Sequence, residues 1–391
     1  MAFYVVSAQS VLEHHTSDNL QSSLMIEQLF FELICVAIGS SNNLSHTPSA
    51  DNWGKLYKMA KKQSLVGICF AGVQKLVDSE KEDYCGMIEL QYLTWMGMAA
   101  KIQQRNEVVN RQCVELQERL VANGLRSCIL KGQGVALYYG EHLRYLRQSG
   151  DIDVWVDAPK EKILEWAEAY GTTNGDGDLH VECKLFEDTS VELHFTPSIA
   201  SGSKTNKRLQ EWFESHKDEC MTNKIGSFTT PTSEFNIVYL LHHMFRHYLY
   251  EGIGLRQMLD YYFTLVAYAN VKARKLSANL SVNYSYEADE VLCALENLGL
   301  MKFAGAVMYV MREVFGMHEP YLICPIDKKR GRRLLEVIME GGNFGHSTEK
   351  YKITGWDKPW SRLSRYVRRN WFMLCDYPEE IGWNMIKKLK I

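Results

Sequence analysis

The run Gly150-Asp151-Ile152-Asp153-Val154-Trp155-Val156 places two carboxylates two positions apart in a β-prone segment. Strand side chains alternate faces, so Asp151 and Asp153 project together while Ile152, Val154 and Val156 point into a core. Like charges held side by side repel, desolvation worsens the repulsion, and a cation beside the pair relieves it. Hard cations such as Mg2+ take oxygen ligands and share them with substrate phosphates. A third acid comes from Val191-Glu192-Leu193-His194-Phe195, where Glu192 and His194 share the polar face of an alternating run. Taken alone, a DxD pair is more often two solvated acids on an exposed strand.

Its surroundings sharpen the reading. Upstream, Lys131-Gly132-Gln133-Gly134 forms a glycine-containing turn before a short helical stretch, Val135 to Tyr139. Backbone N–H groups at such a turn attract phosphate, and Lys131 adds positive charge. Arg144 and Arg147 precede the acidic strand, where they can meet a triphosphate or pair with the aspartates. Leu179 to Phe186 and Ser190 to Thr196 alternate around Glu187-Asp188-Thr189, which predicts a hairpin with a three-residue turn centred on Asp188. That odd-length loop matches polar face to polar face, with His180, Glu182 and Lys184 opposite Glu192 and His194. His243 and His247 share a helix face, but the HExxH glutamate of zinc proteases is absent, so structural or pocket roles are favoured over metal binding. Arg256 and Asp260, one helical turn apart, read as a salt bridge.

The elements that must position these groups form a small α/β block between helical regions. Residues 1–22 are polar and are expected to be poorly ordered, and 23–124 read as helical. Residues 125–230 hold the β material as strand, helix, strand, helix and hairpin, with a weaker edge-strand candidate at Lys224 to Thr229. Asp157 and Pro159 open the second of these helices, which closes at Gly171. Residues 231–391 are again helical, and Trp360 to Leu389 is basic and aromatic-rich. Lys328 to Arg333 and the arginines at 362, 365, 368 and 369 read as solvated basic faces, with an anionic-substrate or nucleic-acid surface as the minority reading.

A chain of 391 residues, 46% hydrophobic and 23% charged, can bury a sizeable core without disulfides or structural metal. Its net charge of −3 argues against wholesale electrostatic binding of nucleic acid. The ten cysteines show no CxxC pair or zinc-like spacing, which fits buried thiols in a reducing cytoplasm. No basic-then-apolar leader opens the sequence, and the apolar stretch Leu29 to Gly39 contains Glu32 and is too short to span a bilayer. It reads as a core helix, so a membrane partner is not expected.

The order of these motifs resembles the bacterial family of uncharacterised nucleotidyltransferases within the DNA polymerase β-like superfamily. The run LKGQGVALYYGEHLRYLRQSGDIDVWV carries the resemblance most specifically. HHMFRHYLYEGIGLRQMLD is similar to that family's His-rich helix and following Leu-Arg…Asp helix, and GGNFGH at 341–346 is similar to a late family segment. The resemblance extends from about Asp51 to near the C-terminus. It implies an α+β fold, a small mixed polymerase β-like sheet flanked by N-terminal and C-terminal helical regions.

The resemblance further implies that Asp151, Asp153 and Glu192 are catalytic and bind two Mg2+ ions, with Mn2+ as a substitute. The two aspartates would bridge the ions, and Glu192 would hold the nucleophile-side ion and act as base. Lys131, Gly132 and Gln133 would form the phosphate turn, and Arg147 would neutralise developing charge. His194, His243, His247, Arg256 and Asp260 become candidates for the cleft wall. The superfamily's usual Gly-Gly or Gly-Ser turn is replaced here by Lys131-Gly132-Gln133. The expected donor is an NTP and the acceptor a small molecule or protein rather than RNA; a catalytically silent nucleotide-binding regulator and a helical scaffold stay open as alternatives.

Overall fold

A computed structural model describes residues 3–80, 86–173, 177–278, 289–342, 373, 375–378 and 380–383. Four helices come first: α1 (Phe3–Ile38), α2 (Ala50–Lys62), α3 (Val66–Glu80) and α4 (Glu89–Ala122). The α/β block follows as β1 (Arg126–Ile129), α5 (Gln133–Ala136), α6 (Glu141–Arg144), β2 (Ile152–Asp157), α7 (Lys160–Glu168), β3 (Thr172–Thr173), β4 (His180–Cys183) and β5 (Val191–His194). Then come α8 (Ser203–Thr222), β6 (Lys224–Ile225), β7 (Phe228–Thr229), α9 (Ser233–Tyr250), α10 (Leu255–Ala278), α11 (Glu290–Asn297), α12 (Met301–Phe315) and α13 (Lys328–Gly341). The fold is mixed α+β and predominantly helical, as the pattern predicts.

The main sheet has the order β1-β2-β5-β4-β3. Its central pair, β2 and β5, is parallel, while β1–β2, β4–β5 and β3–β4 are antiparallel. One face is apolar: Ile152, Val154 and Val156 of β2, Val191 and Leu193 of β5, and Val181 and Cys183 of β4 are buried together. Against them lie Val109, Cys113, Leu116 and Leu120 of α4 and Ile163, Trp166 and Ala167 of α7. The period of two in the strands meets the helical period of α4, the arrangement that buries a stripe against a pleated face.

On the opposite face Trp155 packs on Phe235 of α9, ring centroids 5.9 Å apart, and on Phe213 of α8 at 6.4 Å. A larger core joins this face to the helices and includes Trp53, Trp95, Tyr239, Tyr261, Phe303 and Phe315. Thr232 caps α9 by accepting a hydrogen bond from the Phe235 N–H, and Glu234 in the first turn complements the helix dipole.

Two expectations change. The hairpin pairs Glu182 with Glu192 and His180 with His194, so its centre lies at residue 187 rather than Asp188. This two-residue shift keeps the parity, so every side chain stays on its expected face. The cause lies in α4: Arg105 donates to the Asp188 carboxylate at 2.6 Å and Gln112 at 2.7 Å, drawing the turn out into a longer loop. The weak run at 224–229 forms its own hairpin, β6–β7, instead of an edge strand of the main sheet.

By length and composition Gln21–Ile38 is apolar enough to cross a membrane. Its Leu29, Phe30, Leu33, Ile34 and Ala37 are fully buried in the protein core, however, as a core helix requires. In α13, Arg330 and Arg333 pair with Asp376 at 3.0 and 3.1 Å, so part of that basic run is neutralised rather than solvated. The arginines at 362–369, their interleaved aromatics and residues 343–346 lie outside the described residues.

Candidate active site

Parallel pairing of β2 with β5 sets Asp153 directly beside Glu192, and Asp151 lies just before the start of β2. Carboxylate oxygens of Asp151, Asp153 and Glu192 all fall within 4.8 Å of one another. They lie in a cleft of about 390 Å3 between the polar face of the sheet and helices α9 and α10. Lys131, Gly132, Arg147, His194, His243, His247, Arg256 and Asp260 line the same cleft. Residues from 131 to 260 thus converge on one cavity.

The electrostatics are uneven. Asp153 is buried, and its Oδ1 accepts from Lys131 Nζ at 2.7 Å and from His194 Nε2 at 3.0 Å. Burial alone would raise the Asp153 pKa, but the Lys131 charge and the His194 hydrogen bond hold it well below the usual carboxylate range. Asp151 goes the other way: the charge on Asp153, then burial, pushes it up to about 6. His194 Nε2 also lies 3.2 Å from Glu192 Oε2. Burial opposes its protonation, yet the hydrogen bonds to Asp153 and Glu192 raise its pKa overall. On the far wall, burial and the nearby Lys131 charge keep His243 neutral. Its Nε2 lies 2.9 Å from His247 Nε2, and His247 Nδ1 meets Glu251 at 2.9 Å. Both histidines line the cleft.

A second buried carboxylate, Asp260, has a different setting. Arg147 clasps it with Nε and Nη2, both at 2.7 Å, and the Tyr139 hydroxyl donates at 2.7 Å. Bidentate guanidinium–carboxylate geometry is the strong form of this pairing. Arg147 is thus a close partner of Asp260 that helical spacing does not announce, and Arg256 Nη1 donates to the Gln148 carbonyl at 3.0 Å. An arginine committed to Asp260 has little charge left to neutralise a phosphate, so the role expected of Arg147 does not fit its geometry. Arg144 turns away and pairs with Glu141 at 3.0 Å.

The Lys131 turn is built on glycine. Gly132 has φ 53° and ψ −111°, the first central position of a type II′ turn, and Gly134 N–H closes that turn on the Lys131 carbonyl at 2.9 Å. A Cβ at Gly134 would lie 2.5 Å from the Ile129 carbonyl, so the turn also needs glycine where it crosses β1. Gln133 departs from expectation: its side chain points away from the cleft, and its amide donates to Asn106 Oδ1 at 3.2 Å and Asn110 Oδ1 at 2.8 Å.

Asn106 is a residue that sequence reasoning misses. Fully buried in α4, it donates to the carbonyls of Tyr145 and Arg147, both at 2.7 Å, and so fixes the loop that delivers Arg147 and Asp151. Its one signal is a polar residue in the apolar stripe of α4. Further cleft residues are His180, Glu182, Arg246, Glu251 and Gln257. The alternation of β4 pointed to the first two. Arg246, half-buried on α9, meets no carboxylate at salt-bridge distance among the described residues.

The sequence profile of the uncharacterised nucleotidyltransferase family matches residues 49–316, well over half of the chain. The chain belongs to this nucleotidyltransferase family. The matched span runs from the cap of α2 to the glycine that ends α12 and contains every cleft residue named above. It stops short of the C-terminus, so the segment at 341–346 falls outside the family match. No curated protein and no solved structure matches the chain.

Nucleotidyltransferases typically use divalent metals, and three oxygen donors with raised mutual repulsion could hold one. His180, Glu192 and His194 form an overlapping group with ligand atoms equally close.

Proposed function

We propose that this nucleotidyltransferase transfers a nucleoside monophosphate from an NTP to an acceptor hydroxyl or phosphate. The observation that carries this is the convergence of Asp151, Asp153 and Glu192 in a cleft whose opposite wall holds Arg246 and Arg256, within the family-matched span. The carboxylates would hold Mg2+ or Mn2+, which when bound polarises the phosphates and eases departure of pyrophosphate. Arg246, which meets no carboxylate at salt-bridge distance among the described residues, is placed to meet the triphosphate.

In the reaction the acceptor oxygen forms a bond to the α-phosphorus while the bond to pyrophosphate breaks. Glu192, half-buried beside Asp153, is suited to take the acceptor proton. The open cleft and the overall acidic charge favour a small molecule or a protein side chain as acceptor over RNA.

The test uses NTPs labelled at the α- or the γ-phosphate, incubated with the protein, Mg2+ and a fractionated cell extract. Label from the α-position should move to an acceptor, and Asp153→Asn should stop the transfer. Movement of γ-label instead would make the protein a kinase and overturn the reading.

A further inference from the structure

The superfamily resemblance leads one to expect two metal ions bridged by the aspartates, yet the contacts of Asp153 do not suit a bridging ligand. We infer that the site takes a single divalent ion and that the Lys131 ammonium stands where the second would be. The inference rests on the nucleotidyltransferase reading and concerns the composition of that same site.

A carboxylate offers two oxygens with about two lone-pair positions each. Both positions on Asp153 Oδ1 are used, by Lys131 Nζ at 2.7 Å and by His194 Nε2 at 3.0 Å. Oδ2 alone is left for a metal, so Asp153 can no longer span two ions with one oxygen on each. The gap between Asp153 and Glu192 is also taken, because the same His194 Nε2 lies 3.2 Å from Glu192 Oε2. Asp151, which has no ammonium of its own, is left to join Asp153 Oδ2 and Glu192 around one cation.

Charge points the same way. One ammonium and one divalent ion balance three carboxylates, and the nucleotide phosphates are then left to Arg246. Lys131 is anchored on both sides. It follows β1, where the Leu130 N–H bonds the Asp153 carbonyl at 2.9 Å, and it precedes the Gly132 turn. A lysine held this way carries fixed positive charge into the site without needing to be recruited from solution.

The experiment counts ions directly. The full chain is titrated with Mn2+ in the presence of a non-hydrolysable NTP, following free Mn2+ by electron paramagnetic resonance. Wild type should bind one Mn2+ with no spin–spin broadening, and Lys131→Met should bind two. Two coupled ions in wild type would overturn the inference and leave the nucleotidyltransferase reading standing. One ion in a folded Lys131→Met protein would also overturn it, because the ammonium would then replace nothing. If that variant fails to fold, the wild-type count decides alone. Loss of both Mn2+ and nucleotide binding in wild type would remove the parent reading and the inference with it.

Discussion

Asp153 and Asp260 are both buried carboxylates facing one cleft, and their neighbourhoods are opposites. Asp153 has Lys131 and His194 against it, but Asp151 and Glu192 beside it leave the group with surplus negative charge. Asp260 is clasped by Arg147 and Tyr139, with Arg256 nearby, and carries no surplus. Uncompensated acid on the sheet is a demand for a cation; compensated acid on the helix is a structural joint. One floor and one wall of the same cavity thus have different roles.

The comparison breaks most visibly if the floor is neutralised. Asp151→Asn combined with Asp153→Asn should weaken Mg2+-dependent nucleotide binding by more than about 100-fold, measured by titration calorimetry, with the fold retained. The wall should respond in stability instead. Asp260→Asn leaves the buried Arg147 guanidinium without its partner and should cost about 3–5 kcal/mol in urea unfolding. Asp151→Asn alone should leave metal-free stability unchanged or raised, because it removes a repulsion. If the two variants lose similar stability, the distinction between demand and joint is wrong.

A smaller effect is expected at the support beneath both. Asn106→Leu strands the buried carbonyls of Tyr145 and Arg147 and should cost about 1–3 kcal/mol, again by urea unfolding. The mildest test is pH. Asp151 is raised to about 6 in the folded metal-free protein, against an ordinary value near 3.8. Its protonated form is therefore favoured by folding, a contribution fully present below pH ~4 and lost as pH rises through about 6. Asp151→Asn should flatten the decline in stability across that window, and Mg2+ should move the Asp151 carboxyl signal in carbon NMR to lower pH.

What could be read from the sequence was what is local. Asp151, Asp153, Glu192 and His194 declare themselves by a period of two, and strand geometry converts that period into a shared face. The hairpin came out two residues off because Arg105 and Gln112 of α4, distant in sequence, shape the Asp188 loop. Arg256 and Asp260 looked like a sufficient pair at helical spacing, whereas Asp260 is also clasped by Arg147, which arrives from the loop between α6 and β2. Gln133 sat in the expected phosphate turn, yet its side chain had a buried amide partner in Asn106 that no local pattern announces. Spacing predicts neighbours within an element, and pairing across elements depends on packing that the chain achieves only when folded.

If Asp151, Asp153 and Glu192 form the metal-binding floor on which an NTP is held, a bound metal must touch all of them at once. Crystals grown with Mn2+ and a non-hydrolysable NTP test this most directly, through the anomalous difference map. The expected result is a manganese peak touching all three carboxylates and a phosphate oxygen of the nucleotide. Ordered nucleotide with no peak there, or with manganese bound only elsewhere, would contradict it.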